Sequence, residues 1–479
     1  MRITRVLDRA PVADLAAHVA DGGGRGLATA RELEPTEVIA LVSAAGLRGR
    51  GGAGFPTGTK WTTVAEFATT SLPATVVVNA AEGEPGSFKD RTLLRTNPYR
   101  VIEGALIAAH ATGADRVVIG TKESFTVERE ILARAIEEVR AAGWVEGIEL
   151  AVVAGPGRYL LGEETAMLEV IDGRPPFPRL APPFRHGLDD DAARTSSPAE
   201  TAMAAADEAS PTPPTLVNNV ETLAHVAWIL AEGPDRFREV GTDDSPGTVV
   251  VTVTGDVRHP GVAELALGTP LAEAIEEVAG GTERPVAMVL SGVSHPIMTP
   301  AALAVPLTHV DLAAAGGGLG ATGYIVFDER RDPVSVAQAV SRFLAVESCG
   351  QCTPCKNDGV ALATELETLR RGGGDDRTLV AIADRAATVA DGARCSLARQ
   401  HEAIVESLLA NFSDAVAARV AADGTEAEPV LVTPLIDIVD GVVVLDEASS
   451  DIGPDWTAEM EWSGEAPSDR IDVRADQRP

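Results

Sequence analysis

Apolar residues in the first half of the chain follow two alternating periodicities. Short β-branched runs predict strands at residues 74–79, 116–120 and 148–153. Segments with apolar residues at helical spacing lie between them, at residues 98–112 and 127–142. Because strands that alternate with helices pair in parallel, this pattern predicts an α/β domain whose sheet is covered on both faces.

The pattern changes in the second half of the chain. The β-branched run at residues 248–254 predicts a strand, a short helix follows at 271–278, and further strands lie near Met288 and Tyr324. From residue 333 the apolar positions recur at helical spacing, which predicts four short helices in a bundle. The chain is thus predicted to continue as a small α+β domain and an all-α domain.

The predicted organisation has four regions. They are an α/β domain at residues 1–245, an α+β domain at 246–330, a helical domain at 331–425 and an acidic C-terminal extension at 426–479. Within the first region, residues 188–213 are rich in Asp, Ala, Ser, Thr and Pro and have little to bury. This composition predicts a mobile surface insertion.

Composition and charge narrow the class of protein. The chain has 479 residues, of which 45% are hydrophobic and 23% charged, as is typical of a globular protein with several domains. The net charge of −31 argues against nucleic acid as a partner, because phosphate binding needs positive charge. No apolar run approaches the ~18 residues of a membrane span. The N-terminus lacks a secretory pattern, so we expect a soluble, cytoplasmic protein with no membrane span of its own.

The chain has four cysteines, and three of them are closely spaced. Cys349, Cys352 and Cys355 form a Cx2Cx2C run, and Cys395 follows after 39 intervening residues. Disulfides are not expected in a cytoplasmic protein of this size. Four thiolates are the usual ligands of a [4Fe–4S] cluster, whereas structural zinc usually takes two separate cysteine pairs. The spacing favours an iron–sulfur cluster, with zinc as the alternative.

A glycine-rich loop follows a predicted helix that ends near Gly46. It places four glycines within six residues, and Arg50 and Lys60 add positive charge. Such a loop can approach a phosphate or a ring closely, although a flexible surface loop is the plain alternative. A Rossmann dinucleotide loop is excluded, because that fingerprint requires a strand before the glycines.

Three other segments carry candidate polar side chains. Glu82 and Glu84 follow one predicted strand, Glu163 and Glu164 follow another, and an Asn-Asn pair lies at 218–219. Ligand loops of α/β proteins occupy such positions. The plain alternatives are a solvated turn, helix capping and an ordinary turn, respectively. No Ser/His/Asp or paired-carboxylate arrangement is present, so no protein group is predicted to act as a catalytic acid, base or nucleophile.

Six motifs in order connect these features. They are residues 46–58 (GLRGRGGAGFPTG, with Lys60-Trp61 after it), 84–91 (EPGSFKDR), 162–166 (GEETA), 178–184 (PRLAPPF), 217–222 (VNNVET) and 347–355 (ESCGQCTPC). Together they closely resemble the NADH-binding flavoprotein subunit of respiratory complex I and its relatives in soluble NAD-linked hydrogenases and formate dehydrogenases. The likeness runs from about residue 35 to residue 412.

The resemblance implies a fold and a set of cofactor-binding residues. It implies an α/β domain that binds FMN and NADH, a β-grasp domain of the soluble-ligand-binding type, and a four-helix bundle that holds one [4Fe–4S] cluster. FMN would be held by Gly49, Arg50, Gly51, Gly52, Lys60, Asn79, Tyr159, Gly162, Asn218 and Asn219. NADH would stack on aromatic rings and lie near carboxylates, these being Phe55, Phe184, Glu82, Glu84 and Glu164. The cluster ligands would be Cys349, Cys352, Cys355 and Cys395.

The implied activity is that of an NADH dehydrogenase (diaphorase) subunit. NADH delivers two electrons as hydride, a cluster accepts one electron at a time, and FMN connects the two. Because one cluster uses all four cysteines, the acceptors must lie on other subunits. The resemblance implies a thioredoxin-like [2Fe–2S] subunit, a multi-cluster subunit or a ferredoxin. Such partners would bring the chain to the inner face of the plasma membrane.

The chain departs from the family at the flavin pocket. The family pattern Asn-Ala-Asp-Glu-Ser-Glu reads Asn-Ala-Ala-Glu-Gly-Glu here, with Ala81 and Gly83 in place of an aspartate and a serine. This change motivates a second hypothesis, in which the chain keeps both cofactors but exchanges electrons with a ferredoxin or a membrane partner rather than with NADH. A third hypothesis is a cluster-binding scaffold that has lost flavin.

Overall fold

The computed structural model describes residues 3–188 and 212–454. Most of the segment for which we predicted a mobile insertion, residues 189–211, lies outside the described residues, as does the end of the acidic extension. The chain divides into two compact units. The first contains Met1–Glu82, Phe88–Val251 and Val262–Thr269, and the second contains Gly83–Ser87, Thr252–Gly261 and Pro270–Pro479.

The first unit is built on a parallel sheet. Its strands are β1 (Ala74–Asn79), β2 (Ala114–Lys122), β3 (Glu149–Gly155) and β4 (Thr215–Asn219), in the order β3-β2-β1-β4. Every neighbouring pair is parallel. The prediction of a parallel α/β sheet is confirmed, because the β-branched runs at the first three strands do form it.

Helices surround this sheet on both faces. They are α1 (Leu15–Ala20), α2 (Arg25–Glu32), α3 (Pro35–Ala45), α4 (Thr57–Phe67), α5 (Lys89–Thr96), α6 (Pro98–Thr112), α7 (Thr126–Ala141), α8 (Glu164–Ile171), α9 (Val220–Glu232) and α10 (Pro234–Arg238). Val76 and Val78 of β1 lie in a large core with Leu106 of α6. The intervening Val77 lies in a separate cluster that includes Leu168 of α8. Since successive strand side chains point to opposite faces, the sheet buries both faces, as predicted.

Local sequence signals set the helix boundaries. In α3, Glu34 and Glu37 form a capping box and Pro35 occupies the first turn. The helix ends at Gly46, whose φ of 70° is the left-handed conformation that glycine adopts without strain. The glycine-rich loop therefore begins at a sharply defined helix end.

A second, mixed sheet follows. Its strands are β5 (Thr248–Gly255), β6 (Gly261–Ala266), β7 (Val286–Ser291) and β8 (Gly323–Asp328), in the order β6-β5-β8-β7. β5 and β8 are parallel, and β7 is antiparallel to β8. The helices of this region are α11 (Leu271–Ala279) and α12 (His309–Ala314).

Five helices, rather than the predicted four, follow in the second unit. They are α13 (Pro333–Glu347), α14 (Thr353–Arg370), α15 (Asp376–Ala386), α16 (Leu397–Asn411) and α17 (Ser413–Val420). The extra helix is α17. It is separate because the chain turns at Phe412, after which the apolar pattern of α16 continues in a short helix.

The apolar run of the C-terminal extension forms a hairpin. Strands β9 (Leu435–Val439) and β10 (Val442–Leu445) pair antiparallel. Asp440 and Gly441 connect them with φ values of 50° and 75°, as a tight Asp-Gly turn requires. Across residues 3–188 and 212–454, no helix is both long enough and apolar enough to cross a membrane.

Candidate functional site

The first candidate site lies at the carboxyl ends of β1 and β4. Asn79 ends β1 and is paired in register with Asn219, which ends β4. Strands β2 and β3 lie on one side of β1 and β4 lies on the other. Strand order therefore reverses between β1 and β4, and at such a switch point α/β sheets form a ligand-binding crevice.

The glycine-rich loop is an ordered, narrow turn over this crevice. Gly49 N donates to Phe55 O at 2.9 Å, and Thr57 N donates to Leu47 O at 2.9 Å. A Cβ added to Gly51 would lie 3.2 Å from the Cβ of Asn219. The loop thus packs on the end of β4 so closely that a side chain there would press on its neighbour, and the flexible-loop alternative does not fit.

Arg50 anchors this loop from inside the protein. Its backbone N–H donates to Thr222 Oγ1 at 2.9 Å, and its guanidinium donates to the carbonyl oxygens of Thr248 at 3.1 Å and Arg48 at 2.9 Å. The residue is only 4% exposed. Two carbonyl oxygens thus hold the guanidinium inside the fold, while its buried Nε has no hydrogen-bond partner among the described residues.

Trp61 fixes the orientation of Asn218. The indole Nε1 donates to Asn218 Oδ1 at 2.8 Å in a buried contact. An indole nitrogen can only donate, so the amide oxygen must face Trp61 and the amide nitrogen must face the other way. Sequence reasoning predicted Asn218 as a ligand residue but missed Trp61, although the tryptophan stands inside a quoted motif.

A buried ionic network lies behind Asn219, and the sequence analysis missed it as well. The ammonium of Lys89 contacts Asp90 Oδ1 at 2.7 Å, Glu221 Oε2 at 2.9 Å and Asn219 Oδ1 at 3.3 Å. Asn219 Nδ2 in turn donates to Asp90 Oδ2 at 2.6 Å. Both the oxygen and the nitrogen of the Asn219 amide are thus bound to protein groups.

Charges within this network shift one another's proton affinity. Burial would raise the pKa of the Glu221 carboxyl, but Lys89, His225 and Arg50 together outweigh burial and lower that pKa to about 2. Burial raises the pKa of Asp90 to about 7 even though Lys89 opposes the shift, and the Glu82 carboxylate adds to the rise. Burial would lower the pKa of Lys89, but the surrounding carboxylates outweigh it and raise that pKa. The network therefore favours a charged Lys89–Glu221 pair, whereas burial makes the Asp90 carboxyl a weaker acid than usual, with a raised pKa.

The predicted loops at Asn79 and Gly162 meet at the same crevice. Asn79 Nδ2 donates to Gly162 O at 2.8 Å, and Gly162 ends the short 3₁₀ helix Tyr159–Gly162. Ala81, which replaces the family's aspartate, is 1% exposed and packs in the apolar cluster of Val77. Its side chain is directed into this core, where a carboxylate would be costly.

The two neighbouring glutamates at the start of α8 have different roles. Glu163 caps the helix, with Oε2 accepting from Ala166 N at 2.8 Å and from Thr165 Oγ1 at 2.6 Å. The capping alternative thus holds for Glu163. Glu164 instead forms an ion pair with Lys60, in which the two side chains are 44% and 23% exposed. Two residues predicted for different ligands therefore contact each other.

The remaining residues assigned to NADH differ in their surroundings. Phe55 is 53% exposed where the glycine-rich loop closes, whereas the ring of Phe184 packs on Phe67 with centroids 5.7 Å apart. Glu82 accepts from the backbone N–H groups of the first turn of α5, the nearest at 3.0 Å. In the second unit, Glu84 Oε1 accepts from Val293 N at 2.7 Å. Both carboxylates are therefore held by backbone donors.

The cysteines form the second candidate site, in the second unit. Cys349 follows the end of α13, Cys352 is the N-cap of α14, Cys355 lies in the first turn of α14, and Cys395 precedes α16. Their placement at helix ends and loops agrees with the prediction. Cys349 and Cys355 are buried, whereas Cys352 and Cys395 are partly exposed.

Hydrogen-bond donors surround the sulfur atoms. Gln351 Nε2 donates to Cys349 Sγ at 3.4 Å, and Arg394 N donates to Cys352 Sγ at 3.4 Å. The hydroxyl of Ser348 lies 3.2 Å from Cys355 Sγ. Donors of this kind stabilise thiolate ligands and tune the potential of an iron–sulfur cluster. Burial is the main cause that raises the pKa of Cys349 and raises that of Cys355 to about 12, so in the absence of a metal these two thiols stay protonated near neutral pH.

Zinc and an iron–sulfur cluster place different demands on four cysteines. In the part of the chain that the structure describes, no group of three or more His, Cys, Asp and Glu side chains is placed to hold one metal ion. A zinc ion needs its ligand atoms to converge on a single point. The thiolates of a [4Fe–4S] cluster bind different iron atoms, so they need not converge.

The chain combines a parallel α/β sheet that has a ligand crevice with a helical region that carries four cysteines. Family comparisons assign these regions to the class of flavin- and iron–sulfur-dependent electron-transfer proteins. Residues 42–228 match the family described as the Nuo51 FMN-binding domain. Residues 250–298 match the SLBB domain, and residues 335–419 match the NADH-ubiquinone oxidoreductase-F iron–sulfur binding region.

Similar proteins cover most of the chain. The second F-type subunit of NADH-quinone oxidoreductase in Rhizobium meliloti is 38% identical over 370 residues, which are 74% of this chain and 82% of that protein. The F-type subunit of the same enzyme in Mycobacterium bovis is 35% identical over 420 residues, 85% of this chain and 90% of that protein. A chain of the NAD⁺-reducing [NiFe]-hydrogenase, in its H₂-reduced crystal structure, superposes with a TM-score of 0.73 at 32% identity, covering 86% of this chain and 66% of that one.

The chain therefore belongs to the family of F-type subunits of NADH-quinone oxidoreductase. This membership confirms the predicted resemblance, and with it an NADH dehydrogenase-type electron-transfer subunit that uses FMN and a [4Fe–4S] cluster, with NADH as substrate.

Proposed function

We propose that the chain binds FMN in the crevice between β1 and β4 and passes electrons from NADH to a cluster held by its four cysteines. The observation that carries this proposal is the packing of Gly51 on Asn219 at the switch point of the sheet. When bound, FMN accepts two electrons together and releases them singly. The protein's part is to bind, orient and shield the cofactors.

The FMN-binding residues divide into two kinds. The backbone of Gly51 and Gly52 and the amide nitrogen of Asn218 would contact the cofactor. A second set would position the first set or supply charge at the rim of the crevice: Gly49, whose N–H closes the loop on Phe55, with Arg50, Lys60, Asn79, Tyr159, Gly162 and Asn219. The hydrogen bonds of Arg50 and Asn219 within the protein support this division.

NADH would enter beside the exposed ring of Phe55, with Glu164 nearby and Phe184 as a second stacking surface. The exposure of Phe55 supports this placement. Glu82 and Glu84 would act mainly through their negative charge, because both accept hydrogen bonds from backbone N–H groups.

The cluster ligands would be Cys349, Cys352, Cys355 and Cys395. Their positions at the ends of α13, α14 and α16 support one shared cluster, as do the hydrogen-bond donors beside three of the sulfur atoms.

The finer domain organisation is part of the proposal. A β-grasp fold at residues 246–330 is supported by the strand order β6-β5-β8-β7 with its central strands parallel. Along the sequence it would follow the FMN/NADH-binding domain at residues 1–245 and precede the cluster-binding helices at 331–425 and the acidic extension at 426–479.

As a member of this family, the chain works with other electron-transfer subunits of a multisubunit complex. We propose a thioredoxin-like [2Fe–2S] subunit, a multi-cluster subunit or a ferredoxin as the acceptor, and a position at the inner face of the plasma membrane through such partners.

A second function has support from one observation. Ala81 stands where the resemblance implies an aspartate, and its side chain lies in an apolar cluster, so this position supplies no polar side chain. In this alternative the same cofactors would exchange electrons with a ferredoxin or a membrane partner instead of NADH.

Cofactor content tests the assignment with two variants that control for each other. Asn218→Ala should lose FMN yet retain about four iron and four sulfide per chain, the content of a single [4Fe–4S] cluster. Cys352→Ser should lose iron and sulfide yet retain FMN. An Asn218→Ala protein with full flavin, or wild-type protein with stoichiometric zinc and no sulfide, would contradict the proposal.

A further inference from the structure

Asp90 bridges two groups behind the candidate flavin site. One carboxylate oxygen accepts from Lys89 Nζ at 2.7 Å and the other accepts from Asn219 Nδ2 at 2.6 Å. Asn219 Oδ1 accepts from Lys89 Nζ at 3.3 Å and from Glu221 N at 3.0 Å. The Asn219 amide therefore has its oxygen and its nitrogen both fixed, and it cannot rotate without breaking a bond to a buried charge.

The buried Lys89 ammonium is surrounded by oxygen atoms of three residues. The side chain is 0% exposed; its ammonium donates hydrogen bonds to Asp90 and Asn219 and forms an ion pair with Glu221 at 2.9 Å. Buried ion pairs contribute little net stability when complete, but loss of one member is costly because a charge is left uncompensated. Such a network holds its members in a single arrangement.

The network also reaches the glycine-rich loop. Gly51 packs against the Cβ of Asn219, and Arg50 donates to Thr222 one turn into α9. The Arg50 guanidinium lies 3.9 Å from the carboxylate of Glu221, which also forms an ion pair with Lys89. The loop therefore rests on the start of α9 at two points, and the Lys89–Asp90 pair holds that start in place.

We propose that Lys89 and Asp90 are positioning residues that hold Asn219 and the glycine-rich loop in the arrangement that binds FMN. Neither residue need touch the cofactor, since both act through Asn219. This inference rests on the proposed function, because it takes FMN to bind at the β1/β4 crevice.

Two variants distinguish an effect on the positioning of Asn219 and the glycine-rich loop from an effect on folding. Asp90→Asn keeps the side-chain shape, but an amide cannot accept from both Lys89 and Asn219 through two oxygens. The double variant Lys89→Met/Asp90→Asn removes both charges together and leaves Glu221 with Arg50, so no buried charge remains alone. Glu103→Gln is the matched control, because Glu103 is another buried carboxylate of the first unit, 2% exposed, and it accepts from Gly24 N and Leu27 N.

The measurements are FMN dissociation constants, from quenching of FMN fluorescence by deflavinated protein, and the midpoint potential of the bound flavin. Circular dichroism and iron content report on folding. Both network variants should stay folded, bind FMN about tenfold more weakly or worse, and show a shifted flavin potential, while Glu103→Gln matches wild type.

Wild-type affinity and potential in the double variant would overturn the inference. Loss of folding in both network variants beside a folded control would also overturn it, because the pair would then be an element of folding only. Failure of the wild-type protein itself to bind FMN would instead contradict the proposed function.

Discussion

Trp61 donates a buried 2.8 Å hydrogen bond from its indole nitrogen to the side-chain oxygen of Asn218. This bond joins α4, which follows the glycine-rich loop, to the end of β4. It also turns the Asn218 amide nitrogen away from Trp61. The orientation of the residue proposed to contact FMN therefore depends on a residue 157 positions away in sequence.

Trp61→Phe should weaken FMN binding. The substitution keeps an aromatic ring but removes the only donor of the side chain, which leaves a buried amide oxygen without this partner and costs about 1–3 kcal/mol of stability. FMN affinity should fall together with the free energy of unfolding. Trp228→Phe is the control, because Trp228 packs on Phe237 in the same unit. Equal FMN affinity in wild type and Trp61→Phe would show that the bond does not orient Asn218 for the cofactor.

A methyl group at Gly51 should weaken FMN binding more than a methyl group at Gly49. A Cβ at Gly51 would lie 3.2 Å from Asn219 Cβ, which forces a shift of the loop or of the asparagine, whereas a Cβ at Gly49 would meet Phe55 O at an ordinary 3.6 Å. Gly51→Ala should therefore raise the FMN dissociation constant more than Gly49→Ala, as measured by fluorescence titration. Equal effects would mean that packing on Asn219 is not what sets the affinity.

Substitutions of the two residues in the Lys60–Glu164 pair should affect flavin binding and NADH binding separately. Because the pair is partly exposed, Glu164→Gln should cost less than about 1 kcal/mol of stability. The variant should keep FMN and raise the KM for NADH, whereas Lys60→Met should lower FMN occupancy. Glu137→Gln is the control, since it breaks the exposed pair with Arg140 on α7. Loss of FMN in Glu164→Gln would contradict the separate roles.

Acidification should destabilise the cluster-binding helices through His401. This side chain is fully buried, contacts Ser341 Oγ of α13, and lies beside Gly359 of α14. Burial lowers its pKa from 6.5 to about 4. Between these values the unfolded chain binds a proton that the folded protein does not, so stability falls by about 1.4 kcal/mol per pH unit below 6.5.

Denaturant unfolding of the holoprotein at pH 7.5 and pH 5.5 measures this loss. His401→Gln keeps an acceptor for Ser341 and should flatten the pH dependence, while the same change at the exposed His259 should leave it intact. An unchanged pH dependence in His401→Gln would assign the effect to other groups.

Local patterns made much of this architecture predictable. The β-branched run of β1 and the proline and glycine that bound α6 match the observed elements at both ends. The network of Lys89, Asp90 and Glu221 was not predictable, because it joins residues about 130 positions apart whose proximity follows from strand order. The burial of Ala81 in an apolar cluster likewise depends on which face of the loop packs inward.

Anaerobic stopped-flow mixing of the FMN-loaded protein with NADH tests the central claim most directly. The account predicts that NADH bleaches the flavin absorbance and that the electron paramagnetic resonance signal of a reduced [4Fe–4S] cluster then appears in the same sample. If NADH leaves a fully occupied flavin oxidised while a reduced ferredoxin bleaches it, NADH is not the donor and the alternative function takes its place.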